Sequence, residues 1–579
     1  MYDYIIKNGM IADGTGKETH IADIGITGEK IAFIGHIYED ESNGKIIDAS
    51  NLIVAPGFIN MHSHGDQTLF LYPRGEGTVK QGITTCYCGN CGATPGPIDK
   101  MWVRKFWEYD AWDEVDPYIE NANTILPTEK VVPIIEQRYN TKIDWRSIGE
   151  YLNKLESMGI SYNYIPNIGH GDIRAQVLGA ENRKPTPKEM EEMKKYLVDA
   201  LEAGVYGMTT GMDYEPGKYA DVDEICELVS IVKEYGGIYT THWRNRGKDS
   251  ETRTKGLMEA FEVAKRTGVK LHVNHLSDLF YNTEMISNEN ASIRAGKTLR
   301  YIDNVVKEGV DLIFDVIPNT SGGFEYIPYL TGYFMPFIRI SGCVDNFINN
   351  LQKHDFINIL KEWIQCGKGG LINPKVYPNW AKWLLIVGSQ TEEYIGKSIE
   401  DLYDFNYDSD CTDTVLRLLK EEPLIRTKLV RADAEVVKEF LSHDKSLVGT
   451  DTFNFDGYGT FGRGKKVPDI LVHPNTFSGM INYILNYSVG SIEEAISKIT
   501  GKPAEWLMLD KRGFIKEGYF ADITIIDKNV LSTNENYMEP CQYPSGIRHV
   551  FVNGELVVNN GEHTEKRPGK ILRRYNWSK

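Results

Sequence analysis

Six residues of metal-binding type stand where strand-like runs of this sequence stop. Met61-His62-Ser63-His64 closes one run, and His62 and His64, two apart on a strand, point the same way. Cys91 follows another run in Gly89-Asn90-Cys91-Gly92. His242 ends Tyr239-Thr240-Thr241-His242, His275 ends Leu271-His272-Val273-Asn274-His275, and Asp451 ends Val448-Gly449-Thr450-Asp451. Imidazoles, one thiolate and one carboxylate make a ligand set that suits Zn2+. Each residue alone has a plainer reading, a His satisfied in the core or a Cys serving as a small hydrophobe. The coincidence at strand ends is the signal. Cys86 and Cys88 fall mid-strand and read as packing. The Cys88-x-x-Cys91 pair has no second pair to complete a zinc knuckle. His272, three before His275, faces away from the site or into interior packing.

These residues need elements that bring them together. Strand-like runs are read at 57–64, 84–90, 162–169, 205–210, 238–242, 270–275, 311–316 and 446–451. Helical patterns alternate with them, as at 222–234 and 257–266. Thr186-Pro187-Lys188-Glu189 is a capping box that opens a helix stopping near Gly204. This alternation predicts an α/β fold, a (β/α)8 TIM-like barrel, whose strand ends converge on one face. A doubly wound open sheet is the alternative, and no G-x-G-x-x-G turn supports it. Both chain ends carry short alternating runs, with Asn553-Gly554 marking a hairpin. The expected organisation is a small β-sandwich from 1–55 plus 508–579 and a catalytic barrel over 56–507. Insertions are expected near 98–160 and 317–445.

Composition narrows the partners. The chain has 579 residues, 41% hydrophobic and 25% charged, as an ordinary globular protein does. No run approaches the roughly 18 apolar residues of a membrane span. Met1-Tyr2-Asp3-Tyr4-Ile5-Ile6-Lys7 lacks the pattern of a secretory signal. The net charge of −17 disfavours nucleic acid and anionic membranes. Eight cysteines are too sparse for a disulfide framework. A cytoplasmic protein acting on a small molecule is expected. The oligomeric state is left open.

Val54-Ala55-Pro56-Gly57-Phe58-Ile59-Asn60-Met61-His62-Ser63-His64 resembles the signature of the amidohydrolase superfamily. Gln81-Gly82-Ile83-Thr84-Thr85, the Cys91 motif and Thr241-His242-Trp243-Arg244 narrow the resemblance to the N-acyl-D-amino-acid deacylase (D-aminoacylase) family. The C-terminal Tyr543-Pro544-Ser545-Gly546-Ile547, Gly561-Glu562-His563-Thr564 and Arg567-Pro568-Gly569 agree. The resemblance implies a zinc-dependent hydrolase of a linear amide in an N-acyl amino compound. It also implies one tight zinc at Cys91, His242 and His275, and a weaker position lined by His62, His64 and Asp451. Asp451 is the implied general base and acid. Many other amidohydrolases use a strand-four Lys, which Gly207-Met208-Thr209-Thr210-Gly211 lacks. A cyclic-amide hydrolase and a non-catalytic scaffold are the rival readings.

The loops depart from the family where its members hold the substrate carboxylate. Ser277 stands in place of a Lys, Ile317 of a Tyr, Gly323 of a Ser, and Asn475 of an Arg. Arg246, where the family carries an acidic residue, is the candidate for binding an anionic group from another direction, with Lys248 nearby. Arg246, Ser277 and Asn475 are therefore the candidate substrate-contacting positions. The aromatic run 324–329 with 333–337 reads as an apolar lid or as packing of the insertion.

Overall fold

Near-continuous apolar runs without polar alternation form strands that are buried on both faces, and in this chain they form a parallel barrel. The strands are Phe58–Ser63, Ile83–Cys88, Asn163–Ile165 with Ile168–Gly169, Gly207–Gly211, Ile238–His242, Lys270–Val273, Leu312–Val316 and Ser446–Val448. Consecutive strands pair in parallel. The third is interrupted at Pro166, which has no N–H to donate. The eighth returns to the first through Asp451 N to His62 O and His64 N to Thr452 O, both 2.9 Å. This computed structural model describes all residues except 1, 39–43, 104–124, 247–249, 281–290, 321–328, 368–373, 375–378, 424, 430–433, 457–459, 462–464, 467–472, 534–540 and 575–579.

Helices cover the outside of the barrel. Pro187–Glu202 begins with both bonds of the expected capping box, and Val222–Glu234 is capped by the Asp221 carboxylate. Ser250–Thr267, Ala291–Lys307 and Ala434–Ser442 follow strands five, six and seven. Among the described residues no helix is long and apolar enough to cross a membrane.

The two chain ends meet in one nine-stranded sheet. Ile6, Ile24, Ile26, Val54, Ile523 and Phe551 share its apolar core. Asn553 and Gly554 both take positive φ, 47° and 78°, as a two-residue hairpin turn requires. Thr524 Oγ1 to Gly82 O and Asn553 Nδ2 to Asn163 Oδ1, both 2.8 Å, tie the sheet to the barrel.

Between strands seven and eight the chain builds a separate apolar core from Leu330, Tyr333, Phe334, Phe347, Leu360, Trp380 and Leu418. An antiparallel pair, Leu384–Gly388 against Arg426–Leu429, completes it. Tyr333 and Phe334, read as lid or packing, are packing. Residues 324–328 of that run lie outside the described residues, as does Gly323.

Candidate metal centre

All six strand-end residues come together. His62, His64, Cys91 and Asp451 form one group and Cys91, His242 and His275 another, with ligand atoms in each within 4.8 Å of one another. Cys91 belongs to both. Its Sγ lies 3.5 Å from His62 Nε2 and 3.5 Å from His275 Nε2. Sulfur and nitrogen on one tetrahedral zinc lie about 3.5 Å apart, given bonds of about 2.3 and 2.0–2.1 Å. Asp451 Oδ1 lies 3.2 Å from His62 Nε2 and 3.1 Å from His64 Nε2. Donor chemistry and spacing thus fit a zinc-type ion.

The backbone aims these groups in an unusual way. Strands six and eight stop at Val273 and Val448, short of His275 and Asp451. Both residues, and Cys91, take left-handed φ of 37°, 52° and 54°. Such a conformation costs a non-glycine residue on the order of 1–3 kcal/mol and is held only by its surroundings. Around Cys91 those surroundings are the end of strand four. A Cβ at Gly211 would lie 2.1 Å from Cys91 O. The Cys91 loop therefore packs directly on the end of strand four and leaves no room for a side chain at Gly211.

Electrostatics suit ligation at Cys91, Asp451 and His275. Burial pushes the Cys91 thiol up, but the His62 charge and the surrounding imidazoles outweigh it and hold the thiol well below its ordinary value. Burial also opposes ionisation of Asp451, and His62 and His64 overcome it. His275 is lowered to about 4 by burial and then by the Arg246 charge, so its imidazole is neutral. Thiolate, carboxylate and neutral imidazole are the protonation states a metal requires; His62, His64 and His242, raised against the opposing burial by the neighbouring carboxylates and Cys91, give up a proton when they bind one. Cys88, by contrast, is raised well above its ordinary value by burial and then by Cys86, as a packing thiol should be.

Some orienting residues escaped the sequence reading. Asp315, ending strand seven, lies 3.2 Å from His62 Nδ1 through both oxygens and accepts His275 N at 2.9 Å. A proton on Nδ1 leaves Nε2 for the centre. His272 lies in the interior with Nε2 2.9 Å from the same carboxylate. Asp213, just past strand four, approaches His242 Nε2 at 3.3 Å and accepts Asn245 N at 2.6 Å. A polar residue at a strand end was the available signal, but it does not suffice. His170 also closes a strand, yet its Nε2 meets Glu224 at 2.9 Å, in an ion cluster with Arg174.

The candidate substrate positions separate. Arg246 reaches the centre, with Nη1 3.4 Å from His275 Nε2 and Nη2 donating to His275 O at 3.2 Å. Ser277 Oγ accepts from Arg253 Nη2 at 3.0 Å. Asn475 is buried between Asn319 and Thr450 O, each at 3.5 Å. Lys248 lies outside the described residues.

The profile of the Amidohydrolase family matches residues 45–318 and 478–558. An N-acyl-D-glutamate deacylase of Alcaligenes xylosoxydans xylosoxydans is 25% identical, over 99% of this chain and 96% of the relative. A D-aminoacylase crystal structure has a TM-score of 0.71 at 22% identity, covering 99% of this chain and 100% of that one. The structure of an N-acyl-D-glutamate deacylase from Bordetella bronchiseptica, complexed with zinc and a phosphonate inhibitor, gives 0.69 at 23% identity and covers 99% of each chain. The shared fold runs the whole length, and the family profile takes in more than half of the chain, including His62, His64, Cys91, His242 and His275. This chain belongs to the amidohydrolase family.

Proposed function

We propose that this protein is a zinc-dependent hydrolase of the linear amide bond in N-acyl amino compounds, similar in activity to the deacylases it resembles. Cys91, His242 and His275 hold one ion tightly, and His62, His64 and Asp451 line a second, weaker position. The observation that carries this reading is the double cluster in which Cys91 belongs to both donor groups. Zinc bound there polarises an amide carbonyl and acidifies a water from a pKa of about 15.7 towards about 7.

The chain's own groups do the rest. Asp451, ionised and beside His62 and His64, accepts a proton from the attacking water and returns it to the departing nitrogen. Asp315 keeps His62 in the orientation this needs. Ser277 and Asn475 contribute no cation, so Arg246 receives an anionic group of the substrate beside His275. The relatives named above act on N-acyl-D-amino acids, which supports the D series. A cyclic-amide hydrolase using a strand-four Lys is disfavoured by the lack of room at Gly211. The need for a reduced Cys91 suits the cytoplasm.

The test is a mass-spectrometric screen of N-acyl and N-carbamoyl compounds of both enantiomers, with Asp451→Asn as control. Release of free amine from N-acyl-D compounds is expected. Asp451→Asn should keep the tight zinc and lose about 10²–10⁴-fold in rate. A variant within tenfold of wild type would show that another residue carries the proton.

A further inference from the structure

His272 belongs to neither donor group, yet it bears on the carboxylate that aims two of the ligands. On strand six, Leu271 and Val273 join the large core shared with the helices, so His272 between them faces the barrel interior. Its neighbours across the sheet are Thr240 on strand five and Ile313 on strand seven. Two residues beyond Ile313, on the same face, stands Asp315. His272 Nε2 lies 2.9 Å from Asp315 Oδ2, and both side chains are fully buried. The Tyr87 ring lies beside the imidazole, with centroids 5.7 Å apart, and is itself fixed by the 2.8 Å contact of its hydroxyl with Thr240 Oγ1.

Asp315 serves both halves of the centre. Its two oxygens face His62 Nδ1 at 3.2 Å, Oδ1 accepts His275 N at 2.9 Å, and Oδ2 accepts Asn274 Nδ2 at 2.8 Å. His62 belongs to one donor group and His275 to the other, so a rotation of this one carboxylate is felt at both. His272 meets it from the interior side. Neither ring nitrogen of His272 makes an aligned hydrogen bond. A fully buried imidazole in that state costs the fold free energy that an apolar side chain would not, and such a group calls for a reason. Ile313 beside it shows that this layer accommodates apolar side chains. We propose that His272 is a positioning residue. It closes the interior side of Asp315 and fixes the rotation of that carboxylate, and through it the angle of the His62 ring and the left-handed backbone of His275. Its effect on turnover rests on the hydrolase reading above, and its effect on zinc does not.

Zinc affinity of the full-length protein, measured by chelator competition, tests it, with turnover of N-acyl-D-amino acids as a second readout. His272→Leu should weaken zinc about tenfold, the low end of what an outer-shell partner contributes. It should lower kcat while KM changes by less than about twofold, because His272 acts on the centre and not on the substrate. His272→Met replaces the Leu variant if that one does not fold. His272→Gln, whose amide nitrogen can stand where Nε2 stands, should bring zinc affinity back to within about threefold of wild type. In an Asp315→Asn background, His272→Leu should add less than about twofold, because the carboxylate it holds is gone. Wild-type zinc affinity in the Leu variant, no recovery in the Gln variant, or additive losses in the double variant would each mark His272 as packing and overturn the proposal. If zinc affinity follows the expected pattern while no N-acyl compound is cleaved, the hydrolase reading fails and the His272 assignment stands.

Discussion

The strand-end cluster and the insertion between strands seven and eight share one mouth but are built on different terms. The cluster is set into the barrel backbone. Three of its residues take left-handed φ, and one buried carboxylate, Asp315, steers His62 and receives His275 N. The insertion carries its own apolar core, separate from that of the barrel. The family profile follows the same division, since its two matched stretches leave out 319–477. Reactive groups held by a rigid barrel keep their geometry while the segment beside them varies. Asp451 is the exception. It lies outside the matched stretches yet belongs to the cluster, because strand eight pairs with strand seven and its end bonds back to His62.

The largest effect is expected at Cys91. Cys91→Ala removes the member shared by both donor groups, so metal content and activity should fall together to background. Cys88→Ala should leave metal content unchanged. Elemental analysis of the purified variants decides it, and a full equivalent of zinc in Cys91→Ala would erase the contrast between cluster and insertion. Next in size, Leu418→Ala in the insertion core should cost that region about 2–5 kcal/mol, as a fully buried leucine does. Proteolysis should quicken within the insertion while metal content holds. Loss of metal would show that the two regions are not separable.

Asp315→Asn probes the same contrast from the barrel side. It keeps the shape but weakens the hold on His62 Nδ1, for an expected loss of about 10–100-fold in metal affinity or activity. Chelator competition measures the first and turnover the second. The smallest effect expected concerns stability alone, in the loop after strand eight. Burial, with Glu76 adding to it, raises the Asp456 carboxyl to about 6, while Oδ1 accepts Glu76 N at 3.1 Å. A free carboxyl titrates near about 3.9, so the folded chain binds this proton more readily than the unfolded one. The contribution of this proton to stability is fully present below about pH 4 and is lost as pH rises through about 6. Between those two values the loss is about 1.4 kcal/mol for each step of one in pH. Asp456→Asn keeps the acceptor and removes the titration. Its melting temperature should match wild type near pH 4 and exceed it near pH 8. Equal values at both would exclude a buried carboxyl there.

Much of this molecule was legible before folding. Eight buried strands announce themselves as apolar runs, and His62 and His64 share a face by the period of the strand alone. The Asn553-Gly554 turn and the Thr186 capping box are equally local. The break of strand three at Pro166 was visible in type but not in effect. Which strand-end residues converge was less legible. His170 and His275 look alike along the chain, yet one is consumed by Glu224 and the other faces Cys91. The difference depends on Arg174 and Glu224, contributed by two helices.

Ligand types, their order and the barrel that gathers them follow from the amino-acid order alone, because strand period and helix caps act over a few residues. Packing in three dimensions was needed to establish that Asp315 orients His62 and that Arg253 engages Ser277. The cause is range. A side chain's face follows from its neighbours in sequence, but its partner is set by elements tens or hundreds of residues away, and a charge or hydrogen bond acts only once packing has closed that distance.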